Sequence, residues 1–126
     1  MRNYPKSLLD PEKVAFVIID HQPQMYFGVS SHDRQMGLNN PVALAKAAQV
    51  FNIPCILTTG EATGFSGNMV AQLQSVYPQT VPIDRTFINC WEDPTLKKAV
   101  EGTGRKKLVL AGLWTEACIT FPALSM

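Results

Sequence analysis

Four apolar runs alternate with amphipathic stretches along the chain. The first, residues 14–19 (VAFVII), is unbroken and β-branched, which is typical of a strand buried on both faces of a parallel sheet. Residues 53–59 (IPCILTT), 81–84 (VPID) and 106–112 (KKLVLAG) predict three further strands. The alternation of these runs with helical patterns predicts an α/β fold, with helices on both faces of a doubly wound parallel sheet.

Apolar residues at helical spacing lie between the predicted strands. Residues 42–51 (VALAKAAQVF) predict a helix capped by Asn39 or Asn40, with Pro41 in its first turn. Residues 68–77 predict a second helix, and a third begins at Asp93-Pro94, with Gly102 and Gly104 as stop signals. The last stretch, residues 114–126 (WTEACITFPALSM), predicts a turn that enters a final helix.

Composition narrows the class of protein. The 126 residues are 46% apolar and 17% charged, which suits one domain with its own core and excludes a disordered chain. A net charge of +1 provides no basic field that would attract nucleic acid or an anionic membrane. The apolar runs are too short to span a membrane, and the polar start MRNYPKSLLDPEK does not match a signal peptide, so we expect a cytoplasmic protein.

The three cysteines, Cys55, Cys90 and Cys118, differ in their predicted positions. Their wide spacing excludes CxxC redox or zinc-ribbon motifs, and the odd count argues against a closed disulfide framework. Cys55 lies inside a predicted strand and is expected to be inert core. Cys90 lies in a loop that borders the proposed site, and we expect it to serve packing. Cys118 alone follows the end of a strand and enters a helix.

The carboxyl ends of the predicted strands carry the candidate chemistry. Asp20 follows the first strand, residues 58–61 (TTGE) end the second, Arg85 follows the third, and residues 113–118 (LWTEAC) follow the fourth. Ligands of open α/β sheets bind at this edge, so a carboxylate, a cation and a thiol are expected to share one crevice. A helix N-terminus lowers the pKa of a thiol in its first turn, and Asp20 could take the proton of Cys118.

Four stretches of the sequence resemble the isochorismatase-like cysteine hydrolases, most closely their YcaC-like branch. They are VAFVIIDHQ, NIPCILTT, IDRTFINCW and LVLAGLWTEACITFPAL, and the stretch around Cys118 is the most specific. The resemblance implies a three-layer, doubly wound parallel sheet with strand order 3-2-1-4-5-6. Its last two strands have no counterpart in this chain. We therefore expect one domain, residues 1–126, that is truncated at its C-terminal side.

The resemblance also implies a role for each candidate residue. Cys118 would attack a carbonyl carbon and form a thioester, with Asp20 as the activating carboxylate. Arg85 stands where the family usually has a Lys, and because an Arg stays protonated it can orient a group but not shuttle a proton. The family's non-proline cis peptide would fall at Leu113–Trp114, so that the N–H groups of Trp114 and Cys118 bind the oxyanion.

Metal-binding signals are missing where related nicotinamidases carry an Asp-x-His motif. Residues 58–63 have the sequence TTGEAT, and the histidines His21 and His32 have no third ligand spaced for zinc. We predict no metal and no other cofactor, and we expect His21 to cap or hydrogen-bond near the strand end. Gln22, Phe27, Trp91 and Trp114 are the candidate side chains of a substrate pocket, with core or oligomer contacts as the alternative for the three aromatic residues.

The leading hypothesis is a metal-free cysteine hydrolase that acts on a small amide or related acyl substrate through Cys118, Asp20 and Arg85. The alternatives are a non-catalytic α/β binding module and a redox-sensing thiol with Cys90 as its resolving partner. Neither alternative explains why Asp20 and Arg85 share one edge of the sheet. The large assemblies of the family imply a homo-oligomer, and the sequence does not identify the substrate.

Overall fold

Four parallel strands form one sheet in the computed structural model, which describes Pro5 and residues 8–126. The strands are β1 (Val14–Ile19), β2 (Cys55–Gly60), β3 (Ile83–Arg85) and β4 (Lys107–Gly112). They are parallel throughout and follow the order β3-β2-β1-β4. The α/β fold class is therefore confirmed, and so are the first four positions of the expected strand order.

Helices cover both faces of the sheet, which gives three layers. They are α1 (Pro23–Phe27), α2 (Arg34–Val50), α3 (Ala71–Gln74), α4 (Pro94–Gly102) and α5 (Thr120–Ser125), with a 3₁₀ turn at Cys90–Glu92 and a π-helical turn at Thr115–Ile119. Alternate residues of β1 pack on opposite sides, Ile18 with α2 and α3, and Val17 and Ile19 with α4 and Cys118. This two-sided burial is the reason for the unbroken apolar run in β1.

Helix α2 begins eight residues before the predicted start at residue 42, so the prediction of an Asn39 or Asn40 cap is wrong. The carboxylate of Asp33 caps the helix by accepting from the Met36 N–H at 3.0 Å. Pro41 therefore lies inside the helix and cannot donate to the carbonyl of Gly37. The Tyr26 hydroxyl donates to that carbonyl instead, at 3.3 Å, which explains why the proline does not end the helix.

The helix predicted over residues 68–77 is also wrong in extent, since only Ala71–Gln74 is α-helical. The apolar spacing is real, because Met69, Leu73 and Val76 all pack in the core. The Val70 N–H, however, donates to the carbonyl of His21 at the end of β1, so the helix starts only after it. Helix α4 begins after Asp93 as predicted, while α1 and the 3₁₀ turn were not predicted. Among the described residues, no helix is long and apolar enough to cross a membrane.

Candidate active site

Asp20 and Arg85 form a buried, bidentate ion pair at the carboxyl edge of the sheet. Arg85 is the last residue of β3, and Asp20 comes directly after β1. The two terminal guanidinium nitrogens lie 2.7 and 2.9 Å from the two carboxylate oxygens. The pair passes over the end of the intervening strand β2, at Gly60. Fork-to-fork geometry of this kind is available to Arg and not to Lys.

Further hydrogen bonds hold Arg85 in this position. Its guanidinium donates to the Thr58 hydroxyl and to the carbonyl of Ile88, both at 3.3 Å. Asp20 is held through its backbone, which has a left-handed φ of 57° and whose N–H donates to the carbonyl of Thr58 at 3.0 Å. Positive φ in a non-glycine residue is a strained conformation that the surrounding structure must enforce. The Asp20 carboxylate is therefore held in place both by the backbone of Asp20 and by the side chain of Arg85.

Cys118 lies beside this pair, in the π-helical turn that follows β4. It is 7% exposed and packs with Ile19, Leu96 and Cys90. Burial, and then the neighbouring Asp20 carboxylate, raises the pKa of the Cys118 thiol to about 12, although Arg85 acts in the opposite direction. The pKa of this thiol is thus raised and not lowered as the position at a helix N-terminus led us to expect, because burial and the Asp20 carboxylate both disfavour the thiolate.

The expected oxyanion hole is not formed as the sequence suggested. No cis peptide bond occurs among the described residues, so Leu113–Trp114 is trans, and Trp114 has a left-handed φ of 61°. The N–H of Cys118 already donates to the carbonyl of Trp114 at 3.0 Å and is not free for a substrate. Neither of the two predicted donors is therefore presented to a substrate in the expected way.

A cavity of about 260 Å³ opens over these residues. Its polar lining includes Asp20, Gln22, Glu61, Ser66, Arg85 and Cys118. Its apolar lining includes Met25, Phe87, Ile88, Trp114 and Ala117. The volume is at the low end for small-molecule sites, so the cavity suits a compact substrate.

Of the four predicted pocket side chains, the structure places Gln22 and Trp114 in this cavity. Phe27 is 67% exposed and lies under Arg34 in a separate groove, because α1 turns it away from the sheet. Trp91 packs against the core beneath Lys97. The pocket assignment of Phe27 and Trp91 is therefore corrected, and for Trp91 the alternative of a core contact holds.

Gln22 is fully buried and binds backbone groups on both sides of the loop that follows β2. Its amide nitrogen donates to the carbonyls of Gly60 and Gly67 at 3.0 and 2.6 Å, and its amide oxygen accepts from the Gly60 N–H at 2.9 Å. These bonds leave the amide little capacity for a substrate. Gln22 therefore fixes the loop of residues 60–67, which carries Glu61 and Ser66 to the cavity.

His21 does not make the expected hydrogen bond through its Nδ1 atom. That atom is buried with no partner among the described residues, and burial lowers the pKa of the imidazole to about 4. Within the part of the chain that the structure describes, no three His, Cys, Asp or Glu side chains are grouped to hold a metal ion. The absence of a metal and a cofactor stays a prediction.

Sequence reasoning placed Glu61 at the carboxyl edge of the sheet but gave it no role in the site. Glu61 lines the cavity with a left-handed φ of 46°. Of the four non-glycine residues with positive φ in Pro5 and residues 8–126, three belong to this site, namely Asp20, Glu61 and Trp114. Strained backbone of this kind collects at functional sites, but no residue type in the sequence signals it.

Known proteins include a family model and a relative that match most of this chain. Residues 14–126 match the model of the isochorismatase domain. The chain is 40% identical over 122 residues to "Probable hydrolase YcaC" of Escherichia coli K12, covering 96% of this chain and 59% of that protein.

Two solved structures superpose closely on the chain. The YcaC gene product of Escherichia coli, described as an octameric hydrolase of unknown specificity, has a TM-score of 0.89 and 39% identity. YcaC from Pseudomonas aeruginosa, with hexane-2,5-diol and covalent acrylamide, has a TM-score of 0.89 and 37% identity. In both, 98% of this chain aligns with 61% of the other, so the chain spans about three fifths of the length of these relatives.

Proposed function

Because the chain belongs to the isochorismatase family, we propose that it acts as a cysteine hydrolase on a small amide or related acyl substrate. One observation carries the proposal: the buried Asp20–Arg85 pair and the Cys118 thiol line the same small cavity. A binding module needs no thiol beside a fixed carboxylate. The similarity to hydrolases of the YcaC type supports the same class of reaction.

Cys118 is the nucleophile in this proposal, and Asp20 is its base. With a pKa of about 12 the thiol is protonated at neutral pH, so attack requires that a base take its proton. As the sulfur bonds to the substrate carbonyl carbon, the proton passes to a free lone pair of the Asp20 carboxylate. The N–H of Cys118 is already bonded within the turn, so binding of the oxyanion is not assigned to it.

The same carboxylate returns the proton to the leaving group. Asp20 protonates the departing amine as the C–N bond breaks, which leaves a thioester on Cys118. A water molecule then attacks the thioester carbon and gives a proton to Asp20, and the sulfur recovers it as the acid product leaves. Arg85 takes no part in proton transfer, because it stays protonated and occupies both carboxylate oxygens. It is a positioning residue.

Trapping of the acyl-enzyme tests this proposal. The purified chain is incubated with small activated acyl esters, and adducts are located by intact mass and peptide mapping. We expect an acyl group on Cys118 in the wild type and in the matched controls Cys55→Ser and Cys90→Ala, and none in Cys118→Ala. Labelling confined to Cys55 or Cys90 would contradict the assignment, and a Cys90–Cys118 disulfide under peroxide would favour the redox alternative.

We also propose that the protein forms a homo-oligomer. A YcaC structure is octameric, and large apolar side chains are exposed on this chain, including Phe65 at 81% and Leu124 at 82%. Light scattering coupled to size exclusion should give a mass that is a multiple of the 13.9 kDa chain. A single monomeric species at micromolar concentration would contradict it.

A further inference from the structure

Three hydrogen bonds hold the backbone around Glu61 in place. Its N–H donates to the carbonyl of Arg85 at 2.9 Å, and its own carbonyl accepts from the Gly64 N–H at 2.8 Å. The next N–H, that of Ala62, donates to the Asp84 carboxylate at 2.9 Å. These bonds hold the left-handed φ of Glu61, a conformation that is unfavourable for a non-glycine residue. The side chain is thereby kept at the wall of the cavity.

The charges that line the cavity do not cancel. Asp20 and Arg85 neutralise each other in the bidentate pair. Glu61 is exposed and forms no ion pair with any residue that the structure describes. The cavity therefore holds one negative charge without a partner, next to an apolar wall that includes Met25 and Trp114. A small concave site with a single sign of charge concentrates ligands of the opposite sign.

We propose that Glu61 selects substrates that carry a positive charge, so that the natural substrate is a small amide or acyl compound with a protonated amine a few bonds from its carbonyl. This inference rests on the proposed function, since it names the substrate class of the same site. The carbonyl carbon lies at Cys118, the ammonium group faces Glu61, and the intervening methylene groups contact the apolar wall. Anionic substrates are disfavoured for the same reason.

Three acrylamides that differ only in charge provide the test. N-(2-aminoethyl)acrylamide is cationic, N-(2-hydroxyethyl)acrylamide is neutral and N-acryloylglycine is anionic. Each adds to a thiol by forming a bond between sulfur and the β-carbon while the thiol proton passes to the α-carbon, so nothing leaves. The rate of addition at Cys118 is measured for each probe by mass spectrometry, with peptide mapping to separate Cys55 and Cys90.

In the wild type we expect addition of the cationic probe to be about fivefold to tenfold faster than that of the neutral probe, which corresponds to one partly screened charge pair a few ångströms apart. The anionic probe should be slower than the neutral one by a similar factor. Salt at 1 M, where the Debye length is about 3 Å, should screen the charge of Glu61 and make the three rates of addition nearly equal. Glu61→Gln should reduce the ratios to about one, and Glu61→Lys should invert them.

Glu116→Gln is the matched control, because Glu116 is also exposed and near Cys118 in sequence but lines a different cavity beyond Trp114. It should retain the wild-type ratios. Equal rates for all three probes at Cys118, or a preference that persists in Glu61→Gln, would overturn the role of Glu61 and leave the proposed function standing. No addition at Cys118 by any probe would overturn the proposed function itself.

Discussion

Substitution of Asp20 by Asn should change the reactivity of Cys118 and the turnover of substrate in opposite directions. Asp20 raises the pKa of the thiol, and Arg85 lowers it. Asparagine keeps the shape of the side chain and an oxygen that can accept from Arg85, but it carries no negative charge and cannot serve as a base. The thiolate should become easier to form, while the proton transfers that hydrolysis requires should be lost.

The size of the effect follows from the pKa of the buried thiol. With a pKa of about 12 instead of 9.0, about one Cys118 in ten thousand is ionised at pH 8, against about one in ten for an unperturbed thiol. Burial remains in the variant, so only part of this difference is recovered. We expect the thiolate population at pH 8 to rise at least about tenfold, and hydrolysis to fall by about 10²- to 10⁴-fold through loss of the base.

Iodoacetamide alkylation of Cys118 as a function of pH measures the first quantity. In the wild type the rate should keep rising by about tenfold per pH unit to the highest pH that the fold tolerates, because the pKa lies near 12. In Asp20→Asn the rate should level off at a lower pH. Asp33→Asn is the control, since Asp33 caps α2 and Asn caps equally well. Slower alkylation in Asp20→Asn than in the wild type would refute this account of the thiol.

Two further predictions concern stability and are measured by urea unfolding. Arg85→Met leaves the Asp20 carboxylate buried without its partner and should cost about 3–5 kcal/mol, and adding Asp20→Asn should restore part of this loss; strictly additive losses would contradict a coupled pair. Gly112→Ala should cost about 1–3 kcal/mol, because its Cβ would lie 2.9 Å from the carbonyl oxygen of Ile19. Gly102→Ala, at the end of α4, meets nothing within 4 Å and should be neutral or up to about 1 kcal/mol stabilising; a similar loss in both would argue against close packing at Gly112.

The parts of the fold that could be predicted are those that depend on local pattern and on the parallel ladder. The six apolar, largely β-branched residues of β1 fit a strand buried on both faces better than a half-exposed strand. Once the strands are parallel, their carboxyl ends must lie along one edge, and this brings Asp20, Arg85 and Cys118 together. No knowledge of side-chain packing is needed for that step.

The parts that could not be predicted depend on contacts between distant residues. The passage of α2 through Pro41 involves such a contact, since the Tyr26 hydroxyl donates to the Gly37 carbonyl that Pro41 leaves free. The thiol pKa depends on how deeply Cys118 is buried and on which charge lies beside it, and the local helix rule gives the wrong sign. The position of Phe27 likewise depends on α1, a short helix with no apolar periodicity of its own.

The contacts of the cation in this site are specific to an arginine. The pair must reach across the end of β2 from β3 to the residue after β1, and Arg85 does so while also bonding Thr58 and the carbonyl of Ile88. A lysine has one nitrogen and could not hold both carboxylate oxygens and these two groups together. Arg85 thus orients the Asp20 carboxylate, and its hydrogen bond to the Ile88 carbonyl holds that part of the cavity wall in place. Its positive charge is already neutralised by Asp20 and is not available to a substrate. Recognition of a charged substrate then depends on Glu61, which is why the inferred preference is for cations.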